Sequence, residues 1–205
     1  MSIFVMDCNE WITYHIADML LENGYHVNAL EASDNEEDLS MFFIRNSSFS
    51  MISGDVQKKF NTGIFVRDLA SDILHDFEQL IVINPAKNAD YLEGHKRCTA
   101  IYTPILFGEW MPMKEEGIFD QGKFIPFASE AFKKNALYIG DFSKALLQWL
   151  QISDLPRVLY VNHHDKGKSD DSKLEKNVFI RENIPKHKRV KAVIEHYRSK
   201  RNFMI

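Results

Sequence analysis

The first 30 residues constrain the fold more than any other stretch of this chain. Ser2–Met6 is a short apolar run, and Asn9–Asn23 carries Ile12, Ile16, Met19 and Leu20 at helical spacing. Gly24 stops that helix, and His26–Leu30 is a second apolar run. Strand, helix and strand in so short a span predict a βαβ unit, and with it an α/β fold. A chain of 205 residues, 45% hydrophobic and 26% charged, fits one globular domain of ordinary composition. No charged-then-apolar leader is visible, and no apolar run approaches the ~18 residues of a membrane span. A cytoplasmic protein without membrane attachment is therefore expected. Cys8 and Cys98 stand at strand edges without partners at metal spacing and are expected as buried thiols.

The order and lengths of these segments resemble the first βαβ unit of the extended and atypical short-chain dehydrogenases, the NAD-dependent epimerase/dehydratase-like superfamily. In that family the turn after the first strand reads Gly-x-x-Gly-x-x-Gly. Here Asp7, Glu10 and Thr13 stand at those positions. The glycines permit a tight turn, close approach to a pyrophosphate and close helix–strand packing, and a side chain obstructs each. Asp7 and Glu10 also bring two carboxylates to a helix N-terminus, the end that normally attracts phosphate. The alternative reading is that both acids simply cap the helix. Either way no phosphate site is expected.

Further segments extend the resemblance in order to about residue 162. Phe49–Ser53 with Gly54-Asp55-Val56 looks like the family's third strand and its terminal triplet. The resemblance implies that Asp55 lies near an adenine ring and that Glu31 contacts ribose hydroxyls; both could equally be polar residues at strand ends. Arg67–Phe77 is helical by pattern, and Gln79–Asn84 reads as the fourth parallel strand. A further strand, a long helix and another strand should follow, and no room for them is apparent before Cys98. From Cys98 to Pro112 the chain resembles the family's strand and loop leading to the substrate region; alternatively, Asn88–Arg97 is a shortened helix and Cys98–Thr103 the fifth strand. Asn135–Leu150 looks like a short strand with a helix N-terminus at Asp141, and Arg157–Asn162 like the late strand. His164–Ser172 reads as a linker or mobile loop.

The family's chemistry is missing. Its tyrosine acid/base and the lysine four residues later must share a helix face, and no Tyr-x-x-x-Lys occurs in the chain. Tyr91 and Lys96 are five apart. His163, His164 and Asp165 offer no metal spacing, because adjacent side chains on an extended segment point to opposite sides. Trp11, Trp110 and Trp149 are scattered and read as core or pocket lining.

Charge is unevenly distributed. From Lys186 onward seven Lys/Arg face one acid, Glu195, for a net +6, which leaves −10 for the remainder of a chain whose total is −4. Such a tail could attract nucleic acid, but the acidic body opposes general attraction to polyanions. Val190, Val193, Ile194 and Tyr197 share a helical face over Lys186–Arg201, with Pro185 at its start.

The expectation is a single Rossmann-like three-layer domain, 1–205, with a mostly parallel sheet. Residues 1–103 form a nucleotide-binding-like core; 104–135 and 163–205 form small appended, substrate-region-like segments. The function expected is non-catalytic binding of a protein partner or small ligand, without a metal or dinucleotide. The degenerate site is Asp7, Glu10, Thr13, Glu31 and Asp55. Phe107, Trp110, Met111 and Phe119 are expected to form an exposed ligand or partner surface, or else to seal the shortened core. Alternatives are an atypical NAD(P)-dependent oxidoreductase or epimerase and a nucleic-acid-associated regulator using the basic tail. Loss of the long helices that pair in family dimers implies a monomer or a dimer through another surface.

Overall fold

The computed structural model describes residues 2–30, 39–52, 59–67, 77–86, 97–162 and 177–203. In chain order these form β1 (Ser2–Met6), α1 (Trp11–Glu22), β2 (His26–Leu30), a 3-10 turn (Leu39–Phe42), β3 (Phe49–Ile52), β4 (Phe60–Val66), β5 (Phe77–Ile83) and β6 (Cys98–Tyr102). Short strands follow: β7 (Ile105–Phe107), β8 (Met113–Lys114), β9 (Gly117–Asp120) and β10 (Lys123–Pro126). Then come α2 (Glu130–Asn135), β11 (Ala136–Tyr138), α3 (Ile139–Trp149), β12 (Val158–Asn162), β13 (Asn177–Phe179) and α4 (Lys186–Phe203). Glu31, Asp55, the Gly54–Val56 triplet, Tyr91, Lys96, His163–Ser172 and most of the Arg67–Phe77 and Asn88–Arg97 helix assignments lie outside the described residues.

An eight-stranded sheet runs in the order β3-β2-β1-β4-β5-β6-β12-β13, with β3 through β12 parallel throughout. Two smaller sheets accompany it, the antiparallel meander β8-β9-β10 and the parallel pair β7 and β11. By contact density the chain divides into two compact units, residues 1–102 with 147–160, and residues 103–146 with 161–205.

In the first unit, α1 buries Ile12, Ile16, Ala17, Leu20 and Leu21, the stripe its periodicity sets. Gly24, at φ 78, ends it by supplying the left-handed backbone that a side chain resists. Phe4 alternates away from its fully buried neighbours Ile3 and Val5 and packs with Phe60, Phe65, Phe77, Leu80, Val82 and Cys98. Strands β5 and β6 are buried along nearly their whole length, as strands covered on both faces must be. Both cysteines are buried free thiols, and burial pushes Cys98 up to about 11.

Strand β4 corrects the sequence reading. The polar triplet Asn61-Thr62-Gly63 interrupts its apolar run, yet β4 lies at the centre of the sheet between β1 and β5. Gly63 is required there by space, because a Cβ would come within 2.8 Å of the Phe77 ring and 2.9 Å of the Phe65 ring. The segment expected as fourth strand is therefore the fifth, and it starts at Phe77 rather than Gln79. Phe77 is thus a strand residue, not a helix end, and Arg67 stands in left-handed backbone at φ 67. Ten residues separate β4 from β5 and fourteen separate β5 from β6. Cys98–Tyr102 is a strand of the main sheet beside β5, the sixth in chain order rather than the fifth.

In the second unit, Phe107 packs against Phe132 at 5.1 Å and Tyr138 at 5.7 Å, and Phe127 meets Phe132 edge-on at 5.0 Å. On α4, Val193 is fully buried, and Val190, Ile194 and Tyr197 are half-buried beside it.

Candidate functional site

In an open parallel sheet the ligand crevice lies at the carboxyl ends of the strands, where neighbouring strands connect in opposite directions. That point is here between β1, which leads to β2 on one side, and β4 on the other. The residues immediately after β1, β4 and β5 are Asp7, Arg67 and Asn84, and all three adopt left-handed backbone, with φ of 53, 67 and 50. Each donates its N–H to the neighbouring strand: Asp7 to Leu30 O at 3.0 Å, Arg67 to Ile83 O and Asn84 to Ile101 O, both at 2.8 Å. Non-glycine residues seldom hold this conformation, and runs of them are typical of functional edges.

The turn keeps its shape without glycine. Asp7 supplies the tight bend, and its Oδ1 accepts the Asn9 N–H at 3.3 Å. Thr13 is buried, with its hydroxyl against the Asp7 carbonyl and 2.8 Å from the Glu10 carbonyl. Two of the three expected obstructions are thereby absorbed, since the bend forms and the threonine packs. The capping reading is also corrected, because Glu10 is the N-cap of α1 but its side chain makes no capping hydrogen bond. Asn9 ties the turn to the next segment by accepting the Ser40 N–H at 3.1 Å.

The third obstruction, at the place of closest phosphate approach, remains. The half-buried Glu10 carboxyl is pushed up to about 7 by burial, with the Arg67 charge opposing and the Asp7 charge reinforcing the shift. Backbone N–H groups at a helix start suit a phosphate, but a carboxylate at the same place repels one.

The raised Glu10 value predicts a pH-dependent cost. Below the ordinary carboxylate range Glu10 is protonated in folded and unfolded chains alike. Between that range and pH 7 only the unfolded chain ionises, so stability falls as pH rises, and above 7 the cost is complete. Glu10→Gln is expected to stabilise the protein at pH 8 by about 1–3 kcal/mol and to leave it unchanged near pH 4, measured by denaturant titration. An equal effect at both pH values would refute the assignment.

The expected apolar surface is corrected as well. Phe107 and Met111 are 0% and 6% exposed and belong to the core. Trp110, in left-handed backbone at φ 65, is covered by His196, with ring centroids 4.6 Å apart, and by Lys200 at 4.8 Å. Only Phe119, at 37%, is exposed. These residues seal the second unit rather than offer a surface.

A cluster that the sequence reading missed lies in that unit. Tyr138 donates its hydroxyl to Glu109 at 2.9 Å, and Arg189 lies 4.1 Å over the Tyr138 ring and 3.8 Å from the buried Asp141. Burial pushes the Tyr138 hydroxyl far up, and the Glu109 charge adds to it. The basic tail therefore spends Arg189, Lys186 and Lys200 inward, and Arg198 pairs with Glu115 at 2.8 Å. Among the described residues no cluster could hold a metal ion, and no helix is long and apolar enough to cross a membrane.

Sheet order, the left-handed strand ends and the β1–α1 turn define a Rossmann-like α/β fold. No family model matches the chain, and no curated protein matches it significantly in sequence. Among solved structures it is similar to yeast methylglyoxal/isovaleraldehyde reductase Gre2 complexed with NADPH, at 17% identity and TM-score 0.55 over 97% of each chain. It is also similar to Pal from Bacillus thuringiensis, at 10% identity and TM-score 0.63 over 97% of this chain and 99% of that one. UDP-galactose 4-epimerase follows at 12% and 0.62, over 98% and 99%. At such identities the likeness is one of fold.

Proposed function

We propose that this chain is a non-catalytic protein of short-chain-dehydrogenase-like fold that works by binding a protein partner or small ligand and takes no dinucleotide. The observation that carries this reading is Glu10, half-buried as the N-cap of α1, its carboxyl raised by burial and by the Asp7 charge. The absence of a Tyr-x-x-x-Lys pair from the sequence supports it. NAD(H) and NADP(H) are expected to bind with Kd weaker than about 1 mM by calorimetry, which corresponds to no more than about −4 kcal/mol. A micromolar complex with either would overturn the proposal.

The second reading is an atypical NAD(P)-dependent oxidoreductase or epimerase. One observation favours it: Asp7 holds the left-handed turn that a nucleotide-binding strand end needs, in a fold shared with a reductase complexed with NADPH and a 4-epimerase. The same titration separates the two. A nucleic-acid role has less support, since three of the tail's cations turn inward within their own unit.

A further inference from the structure

We propose that a cavity in the second unit, lined by Phe127, Phe132, Val190 and Lys186, binds a small apolar monocarboxylate. Every residue lining it belongs to residues 103–146 or 161–205, so the proposal does not rest on how the α1 turn is read. The cavity measures about 400 Å³, within the range of small-molecule sites. Its floor is the edge-to-face pair Phe127 and Phe132, a surface that suits an aromatic or branched aliphatic body.

The polar groups of the lining specify the ligand's charge. They are Lys133, Glu182, Lys186 and His187. The Lys186 side chain is only 14% exposed; its ammonium donates to the Lys133 carbonyl at 2.8 Å and faces a Glu182 oxygen at 3.6 Å. An ammonium carries three donors, and these contacts account for two. Within the lining the two lysines exceed the single carboxylate of Glu182 by one charge; Lys133 also meets Glu130, which is not part of the lining, at 3.8 Å. Lys186 and His187 open an 18-residue helix that has no acid in its first turn, so the positive end of the helix dipole adds to the excess. A single negative charge is therefore attracted, while Glu182 opposes a second. Burial lowers the Lys186 pKa, and a carboxylate docked against the ammonium would restore it.

The test is a titration of the intact protein with 3-phenylpropionate and its neutral isostere 3-phenylpropionamide, followed by calorimetry and amide NMR shifts. The carboxylate is expected to saturate with a Kd below about 1 mM and to bind about tenfold more tightly than the amide. Lys186→Gln is expected to reduce the carboxylate to the affinity of the amide, and Val190→Trp, which fills the cavity, to abolish both. Lys188→Gln, on the exposed side of the same helix, should change neither. If Lys186→Gln fails to fold, the two ligands on the unmodified protein together with Val190→Trp still decide. No saturation by about 10 mM, equal affinities for the two ligands, or binding that survives Val190→Trp would each overturn the proposal.

Discussion

Phe4→Ala is expected to destabilise the protein by about 3–5 kcal/mol, the cost typical of emptying a phenylalanine site in a core. Phe4 is fully buried, and the rings of Phe60, Phe65 and Phe77 surround it at 5.4–5.8 Å between centroids. These rings come from β4 and β5 and Phe4 from β1 beside β4, so the cavity would open at the middle of the sheet rather than at a rim that could collapse. Against a total stability of about 5–15 kcal/mol for a domain, such a loss leaves little reserve. Phe42→Ala supplies the contrast: Phe42 is 61% exposed and should cost within about 0.5 kcal/mol. Urea titration of the two variants at one pH checks both, and similar losses would place the core elsewhere.

Arg189→Met is expected to cost about 3 kcal/mol, because it strands the Asp141 carboxylate in the interior. The Asp141 side chain is 1% exposed, and Arg189, 3.8 Å away, is the cation that faces it. Burial already raises the Asp141 pKa, with Arg189, Lys144 and Asn183 pulling it down. A folded-state value above the unfolded one means that the folded chain takes up the proton first, so stability rises as pH falls through that value. The deficit of Arg189→Met should accordingly shrink between pH 8 and pH 5, and adding Asp141→Asn should recover part of it at pH 8. A loss under about 1 kcal/mol, or a double variant no better than the single one, would show that the pair carries little.

The sequence was most legible where one face of an element is uniformly apolar. The stripe Ile12, Ile16 and Leu20 and the stop at Gly24 located α1, and the run around Ile81 located β5. It was least legible where a central strand carries small or polar residues for reasons of space. Gly63 is there to admit the Phe65 and Phe77 rings, a tertiary reason that no local pattern displays. The basic tail misled differently. Lys186, Arg189, Val193, His196 and Lys200 recur at intervals of three and four, and that spacing was the available signal that cations share the buried side of α4. Long aliphatic stems lie along an apolar surface while the charged head finds a ring or a carboxylate, so a cation on a helix need not face water. At the candidate site, the identities of Asp7, Glu10 and Thr13 were readable, but the left-handed bend at Asp7 and the cation at Arg67 depend on pairing between β1, β4 and β5.

The sheet closes late in the order of synthesis. The outer neighbour of β6 is β12, paired in parallel with Val158 opposite Ala100, and residues 103–146 of the other unit lie between them in the chain. A nascent chain leaving the ribosome therefore presents the apolar edge of β6 without its partner until about residue 160 has emerged. Unpaired edges of this kind recruit strands from other chains. A fragment ending at 102 should aggregate where the whole chain does not, and cells making this protein would need to shelter that edge during translation.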